Sequence, residues 1–253
     1  TTFEEISDYT NTDLKKIIFD ENSDNLNITS FTQISIFAAS VCIYRTFEKE
    51  NSILSSDINF MLGHSLGEYT ALACSNKISL KECSHVLKKR GNLMNDAVEP
   101  NKTGMVALIG MNSDEVQKII SDNNMKIEIA NDNSPIQIVI SGSKDELNSN
   151  KDIFLSKGIK KYVQLNVSAA FHSKYMFEAQ NTLSNEIEKL NFINNNVKII
   201  SNYSAEISND NEIIKNSLVK QMANRVRWTE SIKTLEDQKV TKIIEIGPNK
   251  ILS

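Results

Sequence analysis

The chain has 253 residues, 40% of them hydrophobic and 24% charged, with a formal net charge of −4. That length can bury a sizeable core in one domain or two joined lobes, and the composition is ordinary for a soluble globular protein. The acidic balance argues against a nucleic-acid binder, and no apolar run approaches membrane-spanning length, the longest, around Ile34 to Ile43, being interrupted by Ser35 and Ser40.

The three cysteines, Cys42, Cys74 and Cys83, show no metal-ligand spacing. Their apolar surroundings predict buried free thiols in a reducing compartment. The chain opens in Thr1-Thr2-Phe3-Glu4-Glu5 with no signal or transit segment, and both ends read as cut from something longer.

Thr29 or Ser30 caps a predicted helix through Gln33, Ile36, Phe37, Val41 and Tyr44, which grows polar toward Glu50. Ile58–Leu62 then reads as a short buried strand and Glu68–Cys74 as a helix, with Gly63-His64-Ser65-Leu66-Gly67 between them. A G-x-S-x-G between strand and helix is the nucleophile elbow. Its glycines permit a turn too tight for side chains, and the turn lifts a serine hydroxyl clear of the sheet. The same turn aims the Leu66 N–H and the positive end of the following helix at the reacting centre. Ser79 opens another helix, Leu80 to about Val98.

From Thr103 to about Val167 the pattern becomes βαββαβ. The strands are Met105–Ile109, Lys126–Ala130, Gln137–Ser141 and Lys161–Val167. Ser113 caps a helix over Asp114–Ser121, and Ser143 caps one through Phe154 that ends at Gly158. A small ferredoxin-like subdomain at 103–167, inserted into an α/β hydrolase-like core of 1–102 and 168–253, is therefore expected. The core resumes with a helix carrying Met176, Leu183, Ile187 and Leu190, followed by the apolar strands Val197–Ser201 and Lys242–Ile246. Near-continuous apolar strands alternating with helices predict an α/β fold with a mostly parallel sheet covered on both faces.

Arg90 is the most telling residue after Ser65. Wound at about 100° per residue, Leu80, Cys83, Val86, Leu87, Met94, Ala97 and Val98 all fall within about 80° of it. An unpaired guanidinium in an apolar stripe is costly, so Arg90 needs a carboxylate, from the protein or from a ligand. A serine nucleophile also needs a base, and the chain has three histidines. His64 belongs to the turn and His85 to the polar face of the Arg90 helix. His172, in the small-residue loop Ser168-Ala169-Ala170-Phe171-His172-Ser173, is the candidate by elimination. A triad in the order Ser, acid, His would draw its acid from Asp132, Asp145 or Asp152, all in the inserted lobe. A dyad, with the imidazole held by a backbone carbonyl, is simpler.

Four blocks stand in order: Gly63-His64-Ser65-Leu66-Gly67-Glu68-Tyr69, Lys89-Arg90-Gly91-Asn92-Leu93-Met94, Ala170-Phe171-His172-Ser173, and Glu245-Ile246-Gly247-Pro248-Asn249-Lys250-Ile251-Leu252. With Gln221-Met222-Ala223-Asn224 and Val226-Arg227-Trp228, the chain closely resembles the malonyl-CoA:acyl carrier protein transacylases over nearly its whole length. The resemblance implies Ser65 as nucleophile, His172 as base, the Gln221 backbone carbonyl as the group orienting His172, and the Leu66 N–H as an oxyanion donor. It implies Arg90 as the binder of the substrate carboxylate, with Met94 and Phe171 at the acyl site, Phe171 being the malonyl-type variant. The family's N-terminal G-Q-G-S-Q motif, whose glutamine contributes to the oxyanion hole, is absent from this sequence.

The activity so implied is ping-pong malonyl transfer from malonyl-CoA to the phosphopantetheine thiol of acyl carrier protein in type II fatty-acid biosynthesis, with no metal or bound prosthetic group. Acidic acyl carrier protein would dock on a basic surface, for which Lys88, Lys89, Lys160, Lys161, Arg225 and Arg227 are candidates. A monomer is expected, cytoplasmic in a bacterium and plastid or mitochondrial in a eukaryote. The alternatives are a serine hydrolase such as a thioesterase, and a non-catalytic module that binds carrier protein.

Overall fold

The computed structural model describes residues 1–20, 24–51, 58–250 and 252. Its N-terminal part is helical: α1 (Thr2–Thr10), α2 (Leu14–Phe19) and the long α3 (Thr29–Asn51). The hydroxyl of Thr29, the first helical residue, meets Ser168 Oγ at 2.9 Å. The short strand β1 (Phe60–Met61) leads through the serine turn into α4 (Leu66–Cys74), and α5 (Leu80–Asp96) follows, capped by the Ser79 hydroxyl on the Glu82 N–H. α3 and α5 press closely together at Gly91, where an added Cβ would come 2.7 Å from Ser30 Cα. That contact brings Arg90, the next residue on α5, against Gln33 of α3.

The next segment runs β2 (Thr103–Ile109), α6 (Ser113–Asp122), β3 (Glu128–Ser134), β4 (Gln137–Ser143), α7 (Lys144–Ser149), α8 (Lys151–Ser156) and β5 (Lys161–Gln164). Its strands form a four-stranded antiparallel sheet in the order β3-β4-β2-β5, the order of a split βαβ unit. Val106, Leu108, Val116, Ile138, Ile140 and Phe154 fill a core of its own. The cap of α6 is Asn112 rather than Ser113, because its side chain accepts from both the Asp114 and Glu115 N–H groups while Glu115 bonds back. The expected single helix from Ser143 is broken at Asn150 into α7 and α8.

The chain returns through a 3₁₀ turn to α9 (Phe177–Ile187), β6 (Lys198–Ile200), β7 (Ile207–Ser208), α10 (Asn211–Lys220) and α11 (Trp228–Asp237). The core sheet is small and mixed, not mostly parallel. β1 pairs with β6 in parallel, but β7 folds back antiparallel on β6. The connection is too short for a crossover, closing with Ala205 N–H on Ser201 O at 2.8 Å. The expected strand Lys242–Ile246 is irregular: no strand among the described residues pairs with it, and Ile243 and Ile244 are exposed. Ile251 lies outside the described residues. Cys74 and Cys83 are buried, whereas Cys42 is only half-buried, and all three are free thiols. No described helix is long and apolar enough to cross a membrane.

Val226, between α10 and α11, bridges the edge strand β3 of the four-stranded sheet. Val226 N–H donates to Ala130 O, and Asp132 N–H donates to Val226 O, both at 2.9 Å. This seam lies beside the serine turn, where the half-buried His64 bonds Asn133 Oδ1 at 2.8 Å and packs its ring against Trp228.

Candidate active site

Ser65 caps α4 with φ 53° and ψ −107°, a strained backbone for a non-glycine residue, costing on the order of 1–3 kcal/mol. Three neighbours hold it. An added Cβ on Gly63 would run into the Gly67 backbone, so only glycine allows that approach. Asn202 accepts from Ser65 N–H at 2.6 Å and donates to Gly63 O at 2.8 Å. Gln221 Nε2 donates to Ser65 O at 2.9 Å. A Cβ added to Gly67 meets nothing within 4 Å, so sterics demand one glycine of this turn rather than both. The Ser65 hydroxyl makes no capping bond to its own helix and faces the site instead.

His172 Nε2 stands 2.8 Å from Ser65 Oγ, and its Nδ1 lies 3.1 Å from Gln221 O and 3.2 Å from Asn224 O. Carbonyls only accept, so Nδ1 carries the proton and Nε2 offers its lone pair to the serine O–H. Burial first, then the Arg90 charge and His64, lower the pKa of this imidazole from 6.5 to about 3. It is therefore a neutral base across the physiological range. Its own φ is 54°, and the loop before it is tied to the four-stranded sheet: Ala170 N–H donates to Thr103 Oγ1 at 3.0 Å, and Ser141 Oγ donates to Phe171 O at 2.7 Å. The acids available for a triad are elsewhere. Asp132 accepts from Thr229 Oγ1 at 2.6 Å, while Asp145 and Asp152 are exposed on α7 and α8.

Arg90 is 1% exposed. Its Nη1 donates to Gln33 Oε1 at 2.6 Å, and its Nη2 to Ser65 Oγ at 3.0 Å and Gln221 Oε1 at 3.1 Å. The guanidinium lies over the Tyr69 ring, 5.5 Å from its centroid. None of the ion pairs among the described residues includes Arg90. It is a buried cation held by neutral acceptors, and burial lowers its pKa while Tyr69 and Glu68 oppose that shift.

Ser65, His172, Arg90 and both ends of Gln221 thus converge on one point. Leu66 opens α4, so its N–H is one of those at the helix N-terminus that have no intrahelical acceptor. Phe171 is half-buried and packs against both the main core and the small cluster of Met105, Ala107, Ala130 and Val139. Met94 is buried, and its sulfur accepts from Gln33 Nε2 at 3.2 Å, one step behind Arg90. His85 is exposed on α5. Of the expected basic docking residues, Lys88 donates to Thr10 O, Lys89 pairs with Glu186 at 2.8 Å, and Arg225 and Arg227 pair with Glu230 at 3.0 and 2.9 Å. Only Lys160 and Lys161 of the six are exposed without such a partner among the described residues.

Residues 3–253 match the acyl transferase domain family. The chain belongs to that family. This acyl transferase domain is 33% identical over 254 residues to the malonyl CoA-acyl carrier protein transacylase of Bacillus subtilis, covering 99% of this chain and 79% of that one. It superposes with a TM-score of 0.93 and 36% identity on the acyl-carrier-protein-S-malonyltransferase of Bartonella henselae, covering 99% and 81%. It superposes with a TM-score of 0.92 and 32% identity on a malonyl-transacylase in complex with its type II PKS acyl-carrier protein, again covering 99% and 81%.

Several residues of this acyl transferase site escape a sequence-only reading: Gln33, Glu68, Asn202, the Asn224 carbonyl and the side chain of Gln221. Gln33 and Glu68 did leave a signal, each being a polar residue set in an apolar helical stretch.

Proposed function

We propose that the protein transfers a malonyl group from malonyl-CoA to the phosphopantetheine thiol of acyl carrier protein, through an ester on Ser65, in type II fatty-acid biosynthesis. One observation carries this reading: the Ser65 oxygen is shared between a neutral imidazole and a buried arginine that makes no direct ion pair with a carboxylate among the described residues. A nucleophile beside an unpaired guanidinium suits an acyl group that itself ends in a carboxylate.

In the first half-reaction His172 Nε2 takes the Ser65 proton as the oxygen attacks the thioester carbon, and the imidazolium then protonates the departing CoA thiolate. The Leu66 N–H, at the positive end of α4, stabilises the tetrahedral oxyanion. Arg90 turns from the serine oxygen to the malonyl carboxylate, which it can grip with two N–H groups. In the second half-reaction the carrier-protein thiol gives its proton to His172 and attacks the ester, and Ser65 leaves with the proton returned. The Gln221 and Asn224 carbonyls hold the imidazole tautomer throughout. No step calls for a metal or prosthetic group. The division into a core of 1–102 and 168–253 and an insert of 103–167 belongs to the same proposal, with the acyl site at the seam between them.

The test is a partition experiment with malonyl-CoA, scoring malonyl-carrier protein against free malonate while holo-carrier protein is varied. Transfer that outpaces hydrolysis supports the proposal; release of malonate regardless of acceptor would favour a hydrolase.

A further inference from the structure

Glu68 is a carboxylate buried to 0% exposure in the first turn of α4, three residues past the nucleophile. Its Oε2 accepts from Gln221 Nε2 at 2.7 Å and from Asn202 N–H at 3.1 Å, while Oε1 is buried with no hydrogen-bond partner among the described residues. Those two partners are the residues that hold the serine turn and the arginine. Gln221 therefore lies between a buried anion and a buried cation, its Nε2 on Glu68 and its Oε1 on Arg90 Nη2 at 3.1 Å. A guanidinium only donates and a carboxylate only accepts, so the two ends dictate which way the amide points. Glu68 and Arg90 also favour each other's charged forms directly.

Building on the malonyl transfer proposed above, we infer that Glu68 is the counter-charge of Arg90 in the unloaded site, and that its charge sets how strongly the site prefers an acyl group bearing a carboxylate. With Glu68 ionised, the guanidinium is partly compensated even when the acyl group brings no anion, so an acetyl group is tolerated. With Glu68 neutral, only a carboxylate-bearing acyl group supplies the missing charge, and discrimination rises. Glu68 touches no reacting atom; it acts through Arg90 and Gln221 and sets selectivity rather than performing chemistry.

The same relationship makes selectivity depend on pH. Burial raises the Glu68 carboxyl from 4.5 to about 7, against the lowering effects of Gln221, Asn202, Ser201 and Arg90. The charged or titratable groups facing it are Arg90 from α5 and Tyr69 beside it on α4; Ser201, Asn202 and Gln221 from the returning chain are uncharged. His172, at about 3, titrates far from this window. A malonyl carboxyl is ionised throughout it.

The experiment measures initial rates of acyl-Ser65 formation from malonyl-CoA and acetyl-CoA by intact-protein mass, from pH 5.5 to 8.5, for wild type and Glu68→Gln. The wild-type malonyl-to-acetyl ratio should fall as pH rises through about 7, by on the order of tenfold. Glu68→Gln should hold the high ratio at every pH. The wild-type series alone tests the inference should the variant fold poorly. A wild-type ratio that does not change with pH, or a variant that slows both acyl groups alike, would overturn the role of Glu68 while leaving malonyl transfer standing. A wild type that takes up neither acyl group would overturn both.

Discussion

Arg90 Nη2 lies 3.0 Å from Ser65 Oγ, so the residue that would grip the far end of the acyl group already touches the atom that would carry its near end. A malonyl group spans only one methylene between its two carbonyl carbons, which makes this closeness the geometric basis of selectivity.

Arg90→Ala should lose malonyl transfer while sparing or improving acetyl transfer. An acetyl group leaves the wild-type guanidinium without a carboxylate in contact, a penalty that reaches about 3–5 kcal/mol in a dry site when Glu68 is neutral and is smaller when Glu68 is ionised, and the variant removes that penalty. Comparing kcat/KM for malonyl-CoA and acetyl-CoA checks it; equal losses for both would count against Arg90 as the carboxylate binder.

Gln33→Leu should weaken malonyl selectivity more gently. It removes the 2.6 Å acceptor of Arg90 Nη1, a hydrogen bond to a charged group worth about 1.5–3 kcal/mol. The expected result is a KM for malonyl-CoA raised about tenfold or more, with the acetyl rate little changed. A variant as selective as wild type would show that Arg90 is positioned without Gln33.

Much of this arrangement was legible in the sequence, for reasons of chain geometry. The serine turn announced itself because strand, glycine and helix are consecutive, and Arg90 because a charge in an apolar helical stripe breaks a periodicity. The four-stranded sheet was legible because its strands and helices alternate at short range. Asn202 and the side chain of Gln221 were not, since each reaches the site from a distant element and long-range contacts leave no local pattern. The mixed sheet was missed because apolar strands look alike whether the next strand runs parallel or turns back, as β7 does on β6.

The activity should show no acid limb near the ordinary histidine value. His172 is held neutral down to about 3 by burial and by the Arg90 charge, so the base remains competent well below pH 6.5. The same shift costs stability in acid. The unfolded chain takes up a proton as pH falls below 6.5 that the folded imidazole refuses until about 3, so this contribution is present above 6.5 and lost on the way down. A wild-type kcat/KM profile for malonyl-CoA, paired with thermal melts of wild type and a His172 variant from pH 4 to 7.5, checks both; a wild-type limb at 6.5, or melts whose acid dependence is the same without His172, would contradict the shift.

Gly63→Ala and Gly67→Ala should behave differently although they flank the same serine. A methyl on Gly63 collides with the Gly67 backbone, whereas one on Gly67 meets nothing within 4 Å. The first should cost on the order of 4 kcal/mol or prevent folding, and the second should stay within about 1 kcal/mol of wild type. Chemical denaturation of the pair decides it, and similar stabilities would mean that the turn relaxes more freely than its packing suggests.

The most direct test of the central claim is the mass of the intact protein after brief exposure to malonyl-CoA, beside Ser65→Ala. A malonyl adduct on wild type alone, discharged on adding holo-acyl carrier protein, is the predicted result. No adduct on wild-type protein shown to be folded, or an adduct that persists in Ser65→Ala, would contradict acyl transfer through Ser65.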